Sequence, residues 1–176
     1  LVLPNTANDF ISEEEQVANA IAHNAAAVCI RPIQNGWLTD PWCSGDLMKA
    51  LEERRMPVLA ADGQVSIGDV VTLAENYPQL PIILADNNYR DQRIIAPLMK
   101  QFKNVYLSTG LRYNSHMGLE HLAETCSIER ILFGSGWPQT EASASITYIT
   151  YADLSDDEKA MIGSGNIKRL IEAIVK

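Results

Sequence analysis

The feature that most constrains this chain is a regular beat of short apolar runs and longer amphipathic stretches. The runs fall at residues 1–3, 26–30, 57–61, 81–85, 105–107 and 131–133. Most are rich in β-branched residues and lack a strict apolar-polar alternation. Strands of that kind are buried on both faces, as in a parallel sheet covered by helices.

The intervening stretches read as helices. Ser12 followed by Glu15 forms a capping box that opens a helix to about residue 24. Ser44 or Gly45 opens a second, to about residue 55. Ser66 caps a third that stops before Pro78. Asp91 opens a fourth, in which Pro97 demands a kink or a later start. The fifth covers about 115–126 and the sixth 141–151. Ser155 with Glu158 repeats the capping box before a last helical region. Gly163 and Gly165 interrupt that region, and an amphipathic tail spans 167–175.

A β-α unit thus repeats six times, which implies an α/β fold with a mainly parallel sheet and right-handed crossovers. No Pro- or Gly-rich linker divides residues 1–176, so a single domain is expected. Two architectures satisfy this order: an open, doubly wound sheet, or a (β/α)8 barrel lacking its first one or two units. The length of 176 residues favours the open sheet on pattern alone, because a full barrel takes about 250.

Charge and composition narrow the function. The net charge of −8 opposes contact with phosphate backbones, so no nucleic-acid partner is expected. No apolar run approaches the roughly 20 residues needed to cross a bilayer. The cysteines, Cys29, Cys43 and Cys126, show no CxxC spacing and suit a reducing compartment. The chain opens on Leu1 inside an apolar run, without a secretory leader. A cytoplasmic location and a processed or trimmed start are therefore the expectations.

Five segments resemble the amidohydrolase-related family. Arg130-Ile131-Leu132-Phe133-Gly134-Ser135-Gly136-Trp137-Pro138 is similar to that family's last-strand motif, Arg-Ile-Leu-Phe-Gly-Ser-Asp-aromatic-Pro. Leu154 to Lys159, followed by Gly165-Asn166-Ile167-Lys168-Arg169-Leu170, resembles its closing helices. Met56-Pro57-Val58-Leu59 and the run from Tyr77 to Ala85 resemble two middle strands that usually end in His. Lys103 to Ser108 resembles a further one. The order and spacing fit over nearly the whole chain. The resemblance implies a (β/α)8 TIM-barrel-like domain, incomplete at its N-terminus by about 60 to 100 residues.

It also implies a chemistry: metal-dependent hydrolysis or non-oxidative decarboxylation. In the family a His-x-His pair, two further His and an Asp hold one or two divalent ions such as zinc, which polarise a carbonyl and activate water. Carried over here, the first middle-strand His falls on Ala61, the second on Asp86 and the Asp on Gly136; the His-x-His strand lies upstream of Leu1. Methyl and hydrogen offer no lone pair, and a site of this kind needs three or four protein ligands. No metal or other cofactor is therefore expected. His23, His116 and His121 read as helix-surface residues.

Residues at strand ends and in the loops after them carry the work in such barrels. Arg31, Arg90 and Arg112 could grip a carboxylate through paired hydrogen bonds. Trp37, Trp42 or Trp137 could form a stacking wall, with Gln64 and Asn88 as polar partners. The bland alternative is that Asp86 pairs with Arg90 or caps the next helix. Asp62 and Asp86 end consecutive strands and could act as a metal-free acid-base pair. Three readings follow: a degenerate family member, or pseudoenzyme, binding a small polar or carboxylate ligand; an active hydrolase or decarboxylase with replacement ligands or no metal; or a barrel piece completed by association, a homo-oligomer included.

Overall fold

A computed structural model describes residues 2–5, 11–110 and 112–176. Five parallel strands run in sequence order: β1 (Val28–Ile30), β2 (Val58–Ala61), β3 (Ile82–Ala85), β4 (Val105–Thr109) and β5 (Ile131–Phe133). Helices alternate with them: α1 (Glu13–Ala22), α2 (Pro32–Asn35), α3 (Pro41–Glu53), α4 (Ile67–Asn76), α5 (Gln92–Gln101), α6 (Gly118–Thr125), α7 (Ser143–Thr150), α8 (Asp156–Ala160) and α9 (Asn166–Glu172). The fold is α/β. The chain divides into two compact units, Leu1–Ile83 with Leu170–Lys176, and Leu84–Arg169.

In the first unit, β1 pairs with β2 in the register Val28↔Val58, Cys29↔Leu59, Ile30↔Ala60. The ladder starts one residue early: Val28 N–H donates to Pro57 O at 2.8 Å and Val58 N–H to Pro81 O at 2.9 Å. Proline accepts in the ladder without needing to donate, which suits these strand starts. Helix α4 buries Val70, Leu73 and Ala74, one face at helical spacing. Ser66 caps α4 as expected, and Asp69 completes a capping box there.

Only part of the run at 1–3 is described, and that part forms no strand. Leu1 lies outside the described residues, and Val2 and Leu3 join no ladder. The Gln16 side chain on α1 takes the neighbour's place. Its Oε1 accepts from Leu3 N–H at 3.0 Å, and its Nε2 donates to Leu3 O at 2.9 Å. A buried backbone needs partners, and an amide side chain supplies both kinds.

Helix α3 starts at Pro41 rather than at Ser44 or Gly45. Asp40 followed by Pro at the first helical position is a start signal that the sequence reading passed over. Ser44 nevertheless marks a break, with φ −126° and ψ 17° inside the helix.

In the second unit, β4 pairs with β5 in the register Leu107↔Ile131, Ser108↔Leu132, Thr109↔Phe133. Burial in β4 alternates between buried and half-buried residues, whereas β3 buries three of its four residues in a row. The expectation of strands covered on both faces thus fits β3 better than β4.

Helix α5 contains Pro97 without ending there, and it buries Ile95, Leu98 and Met99. Helix α6 begins at Gly118, so His116 sits in the turn before it while His121 lies on it. The glycines at 163 and 165 do not break the closing helices: a π turn over Met161–Gly165 joins α8 to α9.

Arg130 ties the base of this unit together. Its buried guanidinium donates to the carbonyls of Met99, Phe102 (3.1 Å), Val105 (3.4 Å) and Cys126 (2.7 Å). Asn166, fully buried, donates through Nδ2 to Ile128 O and Ile131 O, both at 2.8 Å. Both residues belong to motifs of the family resemblance, and their roles here are structural.

Candidate functional site

Functional groups of an α/β fold of this kind belong at the C-terminal strand ends, and each unit contributes its own set. In the first unit the loop after β1 carries Arg31, which caps α2 without a side-chain bond. Its Nη1 donates to Gln34 Oε1 at 3.2 Å, and Gln34 N–H donates to Gln64 Oε1 at 3.0 Å. Arg31 and Gln64 are therefore bridged by Gln34. Trp37 was expected as an open wall. It is instead 8% exposed, and its indole N–H has no acceptor among the described residues. Trp42, in the first turn of α3, is exposed, at 77%. Asp62 is exposed in the turn after β2, where Gln64 and Val65 N–H both donate to Ala61 O.

In the second unit Asp86 directly follows β3. It is exposed and adopts a left-handed backbone, φ +60°, a conformation that Asp tolerates better than most residues. It does not cap the next helical turn. Asn88 does so: its Oδ1 accepts from Arg90 N–H at 3.1 Å, and Asp91 Oδ2 accepts from Asn88 N–H at 2.8 Å. Nor does Arg90 turn to Asp86. Its Nε donates to the Tyr89 hydroxyl at 3.2 Å, with the guanidinium 5.4 Å from that ring's centre. Tyr89 N–H donates to Arg112 O at 2.9 Å, so the loops after β3 and β4 are pinned to each other. Asn87, between Asp86 and Asn88, belongs to the strand-end cluster expected from sequence. It is 7% exposed, and its Oδ1 has no donor among the described residues.

The end of β5 is closely fitted to the end of β4. A Cβ on Gly134 would collide with Thr109 O and Ser108 Oγ. Trp137, expected as a wall, is 72% exposed, and its N–H donates to Ser135 Oγ at 3.2 Å.

This unit also holds a cavity of about 490 Å³ that no sequence expectation included. It lies beside α6 and α7, and Asn114, His116, Glu120, Thr147, Tyr148 and Tyr151 are among its lining. Burial pushes the Tyr148 phenol up to about 12. It therefore stays protonated and donates to Ser115 O at 2.9 Å. Glu120 Oε1 accepts from Asp153 N–H at 2.7 Å.

A divalent metal of the kind the resemblance implies does not suit this donor set. The three positions carried over hold Ala61, Asp86 and Gly136. Among the described residues, no three His, Cys, Asp or Glu side chains converge as a metal-binding group. One carboxylate falls short of the three or four ligands required.

Comparison with known proteins places the chain. No curated protein matches it. Among solved structures, a TIM-barrel protein from Bordetella bronchiseptica is 19% identical, with a TM-score of 0.75, over 90% of this chain and 61% of its own. The 5-carboxyvanillate decarboxylase from Sphingomonas paucimobilis is 17% identical, with a TM-score of 0.67, over 93% of this chain and 62% of its own. The corresponding decarboxylase from Novosphingobium aromaticivorans, whose structure holds manganese and 3-methoxy-4-hydroxy-5-nitrobenzoic acid, is 12% identical. Its TM-score is 0.65, over 91% of this chain and 61% of its own. The chain thus spans about three fifths of the length of these structures and shares their TIM-barrel fold. A family profile described as Amidohydrolase matches residues 13–172, nearly the full length, and the chain belongs to that family.

Proposed function

We propose that this protein is a single-domain amidohydrolase-family barrel that is degenerate at its metal centre and binds a small polar or carboxylate-bearing molecule through its strand-end loops. One observation carries the reading: alanine and glycine occupy two of the positions where the family places metal ligands, Ala61 and Gly136. A coordination shell cannot be built on a methyl group and a hydrogen atom. The polar groups that remain suit a ligand better than a cation. In the second unit Arg90 and Asn88 offer donors for an anionic oxygen, with Arg112 on the loop after β4; Arg31 and Gln64 form a separate set in the first unit. Trp137 is exposed enough to cover an apolar ring. A cytoplasmic location, and association between copies, belong to the same proposal.

The test is elemental analysis of the purified protein after dialysis, together with a thermal-shift screen of small carboxylates and an assay for decarboxylation of 5-carboxyvanillate. The proposal expects far less than one equivalent of zinc or manganese, no turnover, and a Tm raised by some carboxylates. Arg90→Ala should remove that rise. One equivalent of retained metal with measurable turnover would replace this reading by an active decarboxylase or hydrolase, with Asp62 and Asp86 as the acid-base candidates to substitute next.

A further inference from the structure

The turn that follows β5 contains the position of the family's last-strand carboxylate, and its conformation bears on how that carboxylate was lost. Gly136 has φ +71°, in the left-handed region where any side chain is disfavoured. The turn closes on itself. Thr140 N–H donates to Gly136 O at 3.0 Å, and Thr140 Oγ1 donates to Ser135 O at 2.8 Å. A Cβ built on Gly136 would fall on Thr140 Oγ1, nearer than real Cβ contacts come, with Thr140 Cβ at 3.5 Å and Cγ2 at 3.6 Å. Asp tolerates that backbone, as Asp86 does at φ +60°, so the obstacle specific to a carboxylate at 136 is the occupied volume.

We infer that Thr140, its hydroxyl held in place by Ser135 O, occupies the space through which a side chain at 136 would leave the backbone, so that a carboxylate restored at 136 alone costs stability. The inference rests on the reading that no metal is held at this strand end. The exchange also accounts for charge. A carboxylate without its ion would leave a negative group seeking a partner. The present turn instead satisfies Ser135 O, Gly136 O and Ser135 Oγ with neutral donors: Thr140 Oγ1, Thr140 N–H and Trp137 N–H. The end of β5 is thereby closed by hydroxyl and amide groups and needs no cation.

A double-mutant cycle in the intact protein tests this. Asp and Asn both tolerate a left-handed backbone, so Gly136→Asp and Gly136→Asn isolate the steric obstacle from the angular one. Each is expected to lower Tm by about 4 °C or more. Thr140→Ala, which removes the obstructing hydroxyl, should recover part of that loss. The double variant Gly136→Asn/Thr140→Ala should then be more stable than the sum of the single effects, by about 2 °C or more. If Gly136→Asp does not fold, the Asn pair completes the cycle. A neutral Gly136→Asn, or strictly additive effects, would overturn the inference. Failure of the underlying reading looks different: the wild-type protein would itself retain one equivalent of metal after dialysis.

Discussion

At the level of single residues, polar side chains in this protein act mainly by satisfying backbone or one another. Asp69 illustrates the consequence for pH. Burial pushes its carboxyl up, yet hydrogen bonds from the hydroxyls of Ser66 and Thr39 and from Ser66 N–H outweigh that push and hold it below the ordinary value. Because the folded pKa is depressed, the stabilisation is complete above the unfolded value of 3.8 and fades as pH falls below it. Thr39→Val should therefore destabilise the protein at pH 7, with the gap to wild type closing in urea titrations as pH falls below 3.8. Arg130 makes a stronger case. Four carbonyls accept from its planar fork, and a lysine ammonium cannot reach donors spread that widely. Arg130→Lys should cost about 3 kcal/mol in chemical denaturation, and an effect under about 1 kcal/mol would contradict the structural role assigned to it.

Among elements, close approach decides more than propensity does. β4 and β5 meet at Gly134, where an added Cβ would strike a backbone carbonyl that cannot swing aside as a side chain might. Gly110, at the end of β4, has open space instead. Gly134→Ala should lose about 2 kcal/mol or more, while Gly110→Ala should stay within about 0.5 kcal/mol of wild type. Equal effects at the two glycines would refute the fitted-strand argument. The capping boxes act on a smaller scale. Ser66→Ala removes a bond to Asp69 N–H and should cost about 1 kcal/mol. The Ser155–Glu158 box could be read from local sequence because both halves lie three residues apart, whereas at Ser12 only the hydroxyl half forms, accepting from Glu15 N–H. The start of α3 was equally local in Asp40-Pro41, but it was passed over in favour of Ser44. Leu3, read as part of a strand, takes its partner instead from Gln16, 13 residues away on a helix.

For the molecule as a whole, family membership and chemistry separate. The Amidohydrolase profile and the TIM-barrel likeness establish the architecture, and architecture does not specify activity. Among the described residues no helix is long and apolar enough to cross a membrane. If no ion sustains the fold, EDTA at millimolar concentration should leave Tm unchanged within about 1 °C, whereas a structural metal would make Tm fall as the ion is withdrawn. The candidate site was only partly legible beforehand. Arg31, Gln64, Asn88 and Arg90 do stand in strand-end loops, but Trp37 is buried and the cavity beside α6 and α7 uses other residues.

The alternation of strands and helices, the family and the absence of ligating side chains at 61 and 136 were determined by sequence alone, because each depends on residue identity or on short-range periodicity. Tertiary structure decided which aromatic is covered, what holds Leu3, and why a glycine occupies position 136. Those answers depend on backbone angles and on partners brought close only by folding, such as the Thr140 hydroxyl above Gly136 and the carbonyls around Arg130.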